Sequence, residues 1–243
     1  MTNSQPSRRA FPITRWSMVT QVFAAGERAP LDALDELGRR YRYAVYAYVR
    51  CCGHAPAIAL GITQSFLHHL KRDFDATGRL RPNDRERFRR YLLERLHGWL
   101  ADDGRRAHDD GGDEPPPPRD DFEARYARDG ASFTSPEQAF QRGFALEVLV
   151  RAFERLRAEV RQTGHLDMYD ALAPFIACDP PPGQYEEVAQ ALRTRPLAVV
   201  VALKRLRQRL RELANEELAD TVSSAEELAD EQRTLLSVLQ TAN

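Results

Sequence analysis

The sequence predicts an all-α protein of two helical lobes joined by a flexible linker. Apolar residues recur at spacings of three and four along most of the chain, which is the period of a helix. Strand signals are weak, because the one β-branched run, residues 199–201, lies inside a helical pattern. A segment rich in proline, glycine and aspartate, residues 107–136, separates the two helical parts.

The composition is typical of a globular protein without a membrane span. Of 243 residues, 42% are hydrophobic and 29% are charged, and the formal net charge is −1. The longest uncharged run, residues 51–70, contains proline, glycine and histidine and is a poor membrane span. Residues 1–15 contain no apolar signal segment. Three cysteines form no disulfide framework, so we expect a cytoplasmic protein.

The first lobe is predicted over residues 13–106. One apolar stripe runs from Leu31 to Val49, and further helices are expected over about 56–71 and about 84–105. The linker over residues 107–136 contains four consecutive prolines, residues 115–118, between acidic residues. Because proline blocks helix formation and acidic residues cannot form an apolar face, we expect this linker to be extended and mobile.

The second lobe is predicted over residues 137–216 and contains a helix-turn-helix. Val188, Ala189 and Leu192 face inward on the first helix of this unit. Residues 193–195 form a short turn, and Pro196 suits the first position of the second helix. The expected buried side of that second helix is Leu197, Val201 and Leu203 to Leu206. Residues 217–243 form a C-terminal extension with one further helix.

Charge is concentrated on the second helix of this unit. Residues 193–211 contain seven basic residues and no acidic one, whereas residues 212–231 contain eight acidic residues and no basic one. A basic helix after a short turn is typical of a protein that contacts DNA phosphates. The second helix of such a unit enters the major groove. The alternatives are a solvated helix face and an ordinary helical hairpin.

Motifs in both lobes resemble those of extracytoplasmic-function (ECF) sigma factors, the small initiation subunits of bacterial RNA polymerase. The resemblance covers about 13–106 and 137–216. In the first lobe it is carried by residues 14–17, 34–41, 63–66, 87–93 and 99–106. In the second lobe it is carried by residues 185–189 and 204–207. The lobes would then be sigma region 2 and the helix-turn-helix region 4.

The resemblance implies a promoter-specific initiation factor and assigns residues to three contacts. The polymerase clamp, formed by the beta-prime subunit of the core, would be contacted by Arg39, Arg40, Tyr41, Thr63, Gln64, Phe66 and Leu67. The −10 promoter element would be contacted by Arg85, Arg87, Arg89, Arg90 and Arg95, while Tyr91 and Trp99 pack. The −35 element would be contacted by Arg193, Thr194, Arg195, Val200, Lys204 and Arg207.

The chain departs from the family in its clamp-docking helix. The family usually carries acidic residues where this chain has Ile58-Ala59-Leu60-Gly61, and residues 51–70 contain no charged side chain. A related branch that lacks these acids is activated by a Ser/Thr kinase, and Thr63 occupies the matching position. A phosphate brings about −1.5 to −2 charges, which could replace the missing carboxylates. The alternative is that Thr63 only caps or packs its helix.

We expect neither enzyme activity nor a metal or other cofactor. Cys51 and Cys52 are adjacent, which is not the spacing of structural zinc sites, and we expect both to be buried. Two other functions stay open. One is a sigma-like scaffold that binds a kinase or an anti-sigma protein, and the other is a stand-alone helix-turn-helix regulator.

Overall fold

The fold of the chain is all-α. A computed structural model describes residues 31–77, 88–103, 121–129, 133–222 and 224–240. All regular secondary structure in these ranges is helical, which confirms the prediction of an all-α protein. None of the helices in these ranges combines the length and the apolar character that a membrane span requires.

The helices are numbered here in chain order. They are α1 (Leu31–Cys51), α2 (Pro56–Thr77), α3 (Phe88–Asp103), α4 (Phe122–Asp129), α5 (Pro136–Gln162), α6 (Leu166–Leu172), a 3₁₀ turn (Ala173–Phe175), α7 (Gln184–Ala191), α8 (Pro196–Ala219) and α9 (Ala225–Gln240). The chain forms two compact units. The first comprises Met1–Glu147 with Leu218–Asn243, and the second comprises Val148–Glu217.

The core of the first unit is built around α1. Every residue from 43 to 49 is buried, and Tyr41 is also fully buried. The ring of Tyr41 stacks on that of Phe144 in α5, with centroids 4.6 Å apart and planes 5° apart. A Cβ atom at Gly143 would lie 2.9 Å from the Cα atom of Ala44, so glycine permits the close approach of α5 to α1. The first part of α5 is therefore packed into the first unit.

The units differ from the predicted domain boundaries in three places, one of which is the first part of α5, residues 137–147, predicted in the second lobe. The predicted linker, residues 107–136, contains the helix α4, whose Phe122 packs against Tyr43 and Tyr46 at centroid distances of 5.5 and 5.4 Å. Aromatic contacts therefore hold this part of the predicted linker against α1. Residues 104–120 lie outside the described residues. The predicted C-terminal extension belongs largely to the first unit. There, Asp220 lies 3.0 Å from the buried guanidinium of Arg40.

The second unit has its own apolar core. Its buried residues come from α5, α6, the segment that follows α6, α7 and α8. On α7, Val188 and Ala189 are buried, as predicted. The residues of α8 that are buried in this core are Val199, Leu203 and Leu213, at the spacing of an amphipathic helix. The predicted burial of Leu197 and Val201 is wrong, because this register directs both side chains to the surface.

Candidate nucleic-acid interface

Two helices of the second unit, α7 and α8, are joined by a short turn at the predicted position. The helix α7 is preceded by Gly183, whose φ of +87° lies in the left-handed region that favours glycine. At its end, the backbone N–H of Thr194 donates to the carbonyl of Ala189 over 2.8 Å, and the N–H of Arg193 donates to Gln190 over 3.2 Å. Arg193 has a φ of +51°, which turns the chain toward Pro196. These contacts end α7 and set the start of α8.

Four cationic side chains lie around the turn and in the N-terminal half of α8. All four are exposed, and they are Arg193, Arg195, Lys204 and Arg205. Within the described part of the chain, no carboxylate forms an ion pair with any of them and no acceptor forms a hydrogen bond with their side chains. We call these four residues the cationic end of α8. Their charges are available to an anionic ligand.

The remaining cations of α8 are engaged within the second unit. Arg209 pairs with Glu159 of α5 over 2.8 Å and with Glu212 over 3.1 Å. The hydrogen bond from Arg209 holds the pKa of Glu159 below its usual value. Arg211 donates to Gln208 over 2.7 Å. The basic residues therefore divide into an unpaired set near the turn and a paired set further along, Arg207 and Arg209, while the exposed Arg211 has only an amide partner.

Arg207 belongs to the paired set, which corrects its predicted role at the −35 element. Its guanidinium pairs with Asp179 over 2.9 Å. It also donates to the backbone carbonyls of Phe175 and Cys178, over 2.8 and 2.6 Å. The side chain of Arg207 thus connects α8 to the end of the 3₁₀ turn and the loop that follows it. The other residues predicted to contact the −35 element retain accessible surface. Thr194 is half-buried, and Val200 is exposed.

Sequence reasoning missed Arg205, which belongs to the cationic end of α8. Its position directly after Lys204 and two residues after the buried Leu203 places it on the outer side of the helix. The signal was therefore the helical register, which becomes clear once Val199 and Leu203 are known to be buried.

The predicted clamp-docking residues of α2 are largely part of the core. Thr63 is 0% exposed, and its hydroxyl donates to the carbonyl of Ala59 over 2.7 Å. Phe66 is also buried and packs against the ring of Trp99, with centroids 5.8 Å apart. Gln64 and Leu67 are half-buried. The expectation that Thr63 and Phe66 face a partner does not hold, because both fill the space between helices.

The three clamp residues predicted on α1 have different environments. Arg39 is exposed and donates to Glu36 over 3.1 Å. Arg40 is buried and lies 3.4 Å from Glu36 in addition to its pair with Asp220. Burial raises the pKa of the Tyr41 phenol well above its usual range. Only Arg39 is therefore placed to meet a partner.

The predicted −10 residues also divide by burial. Arg85 and Arg87 lie outside the described residues. Arg89 is half-buried and pairs with the buried Glu231 of α9 over 3.1 Å, so little of its side chain is exposed. Arg90 and Arg95 are exposed, and Arg90 pairs with Glu94 over 3.0 Å. Tyr91 and Trp99 pack, as predicted. A groove of about 190 Å³ lies between α2 and α3 and is lined by Phe66, His69, Leu70, Glu94, Arg95, Gly98 and Trp99.

The cysteines are more accessible than predicted. Cys51 is half-buried and Cys52 is exposed, because both lie at the end of α1 where the helix leaves the core. Burial raises the pKa of both thiols. Among the described residues, no three side chains of the metal-ligating types form a cluster.

No protein-family model, curated protein or solved structure matches the chain. Among the described residues, the exposed and unpaired cations near the turn are those of the cationic end of α8 in the second unit.

Proposed function

We propose that the chain is a sigma-type initiation factor that binds promoter DNA through α8 and RNA polymerase core through its first unit. The observation that carries the proposal is the division of the basic residues of α8. The four at the cationic end are exposed and unpaired among the described residues, while Arg207 and Arg209 are held by carboxylates. Such a factor acts in the cytoplasm and is not an enzyme.

The charge distribution favours one orientation of α8 on DNA. In a helix-turn-helix, residues in the N-terminal half of the second helix contact base edges, and neighbouring cations contact phosphates. Arg193 and Arg195 precede α8, and Lys204 and Arg205 follow its second turn. Cations thus flank the part of α8 that would enter the groove, whereas Arg207 and Arg209, which are paired with carboxylates, contribute little to phosphate binding. The N-terminal half of α8 would therefore lie against the duplex.

The role of the first unit in the proposal rests on its exposed residues. Arg39, Gln64 and Leu67 retain accessible surface for contact with the polymerase clamp. Arg90 and Arg95 retain it for contact with the −10 strand, beside the groove at Trp99. Stacking of an unpaired base in such a groove is worth about 1–3 kcal/mol in single-strand binding proteins. The buried residues of the same motifs support the fold.

Control by a Ser/Thr kinase enters the proposal in a restricted form. The hydroxyl of Thr63 is fully buried, so a kinase can reach it only in a conformation in which α2 is locally open. A phosphate at this position would then hold α2 open, because the closed packing has no room for a dianion. The DNA-binding and polymerase-binding roles do not depend on this step.

The proposal is tested by core binding and run-off transcription with the purified chain. We expect the chain to co-elute with RNA polymerase core and to start transcripts from duplexes selected out of a random library by the complex. The variant Lys204→Gln with Arg205→Gln should bind core normally and lose most of the transcripts.

A matched control is Arg157→Gln with Arg161→Gln, two exposed arginines of α5 in the same unit. It should retain both core binding and transcription. Specific DNA binding without core binding would favour the stand-alone regulator, and core binding without any promoter selection would favour the scaffold. Either result would overturn the proposal.

A further inference from the structure

The outer face of α8 is apolar at the place where the proposed function puts DNA. Leu197 is 73% exposed, and Val200 and Val201 are 39% and 40% exposed. Of the large hydrophobic residues that are exposed in the described part of the chain, Leu197 has the highest exposed fraction. Leaving three such side chains in water within five residues is unfavourable, which suggests that a ligand covers them.

These residues share one face of the helix. Leu197, Val200, Val201 and Lys204 follow the spacing of three and four, and Val199 and Leu203 occupy the opposite, buried face. The cationic end of α8 flanks the apolar residues along the chain, with Arg193 and Arg195 before them and Lys204 and Arg205 after them. The surface therefore has an apolar centre between cations.

The same stretch has no polar side chain with which to recognise a base by hydrogen bonding. Residues 196–203 are Pro, Leu, Ala, Val, Val, Val, Ala and Leu. In the major groove, guanine, cytosine and adenine are distinguished through hydrogen-bond donors and acceptors, whereas thymine also presents a C5 methyl group to apolar side chains. An apolar helix face can therefore detect thymine and no other unmodified base by a direct contact.

We infer, on the basis of the proposed function, that Leu197, Val200 and Val201 recognise thymine methyl groups in the major groove. The occupant is duplex DNA rather than a protein helix, because the flanking cations match the phosphates on both sides of the groove. The preferred sites should contain thymines on the strand edges that face α8. The cationic end supplies affinity, and the apolar centre supplies the sequence preference.

The inference is tested by replacing thymine with uracil, which keeps every hydrogen bond and removes only the methyl group. Duplexes selected by the full-length chain are made with single uracil substitutions, and binding is measured by fluorescence anisotropy. We expect a weakening of about 3- to 5-fold at two or more positions, the effect of exposing one methyl group. The salt dependence should stay unchanged, since no phosphate contact is lost.

The variant Leu197→Ala with Val200→Ala links the effect to the protein. It should discriminate less between thymine and uracil duplexes than the wild type, because only Val201 of the three apolar residues remains, whereas Val150→Ala, an exposed valine of α5 in the same unit, should behave as wild type. Because uracil alters only the DNA, the main comparison does not depend on the folding of a variant.

Two results would overturn the inference in different ways. Salt-dependent binding that is identical for thymine and uracil at every position would refute methyl recognition and leave the proposed function intact. Absence of duplex binding by the wild type at low salt would refute both, and the apolar face would then be assigned to a protein partner.

Discussion

Arg89 of α3 and the buried Glu231 of α9 form a largely buried ion pair with an N–O distance of 3.1 Å, and their side chains are 11% and 3% exposed. The pair Arg40–Asp220 joins α1 to the segment before α9 in the same way. Two arginines expected to contact polymerase or DNA thus stabilise the first unit together with its C-terminal segment. Their removal should affect folding rather than recognition.

The first prediction concerns Arg89. We expect Arg89→Ala to lower the free energy of unfolding by about 3 kcal/mol, because it removes a charged partner of the buried Glu231 carboxylate. Arg90→Ala should change it by about 0.5 kcal/mol or less, since that residue is exposed and its pair with Glu94 lies in water. Urea denaturation of both variants measures the difference. Equal stability of the two would show that the Arg89 pair is not buried in solution.

The second prediction concerns Thr63. Thr63→Asp should destabilise the first unit by about 3–5 kcal/mol, because the carboxylate would be buried without a partner. Thr63→Val should cost about 1 kcal/mol or less, since it keeps the shape and loses only the bond to Ala59. Thermal unfolding distinguishes these outcomes. A Thr63→Asp protein as stable as the wild type would mean that α2 is open and that the site is accessible to a kinase.

The third prediction compares two glycines within helices. A Cβ atom at Gly61 meets nothing within 4 Å, so Gly61→Ala should stabilise the protein by about 0.5–1 kcal/mol through helix propensity. A Cβ atom at Gly143 would lie 2.9 Å from the backbone of Ala44, so Gly143→Ala should destabilise it. Chemical denaturation of both variants measures the sign of each change in the free energy of unfolding. Stabilisation by Gly143→Ala would contradict the close packing of α5 on α1.

The fourth prediction concerns acid pH. The hydrogen bond from Arg209 lowers the pKa of Glu159 in the folded state. The pair therefore contributes stability above the unfolded pKa of the carboxyl, and this contribution is lost as pH falls through the lowered folded value. Urea midpoints should fall below about pH 4.5 in the wild type, and Glu159→Gln should show a smaller fall. The same dependence of the urea midpoint on pH in both proteins would exclude a contribution from the Arg209–Glu159 pair.

The helix-turn-helix could be predicted because its signals are local. Residues 193–195 and Pro196 marked the turn and the helix start, and the spacing of Val188 and Ala189 marked the inner face of α7. The register of α8 could not be predicted in the same way. Residues 196–203 are all apolar, so they contain no periodicity that separates the buried Val199 from the exposed Leu197.

The misassigned residues depend on distant contacts. The linker prediction relied on the prolines and acidic residues and did not use Phe122, whose partners on α1 lie far away in sequence. Arg207 is held by the backbone carbonyls of Phe175 and Cys178. Such contacts cannot be predicted from a pattern of side chains, because every residue has a backbone carbonyl. A motif resemblance supplied the position of Thr63 but not its burial, which depends on the packing around α2.

The salt dependence of duplex binding tests most directly the claim that the cationic end of α8 contacts DNA. Affinity is measured from low to moderate salt for the wild type, for Lys204→Gln with Arg205→Gln, and for Arg157→Gln with Arg161→Gln. We predict that the α8 variant binds more weakly and that its slope of log affinity against log salt is smaller by about 0.9 for each lost phosphate contact. The α5 variant should match the wild type. An unchanged slope in the α8 variant would contradict the account.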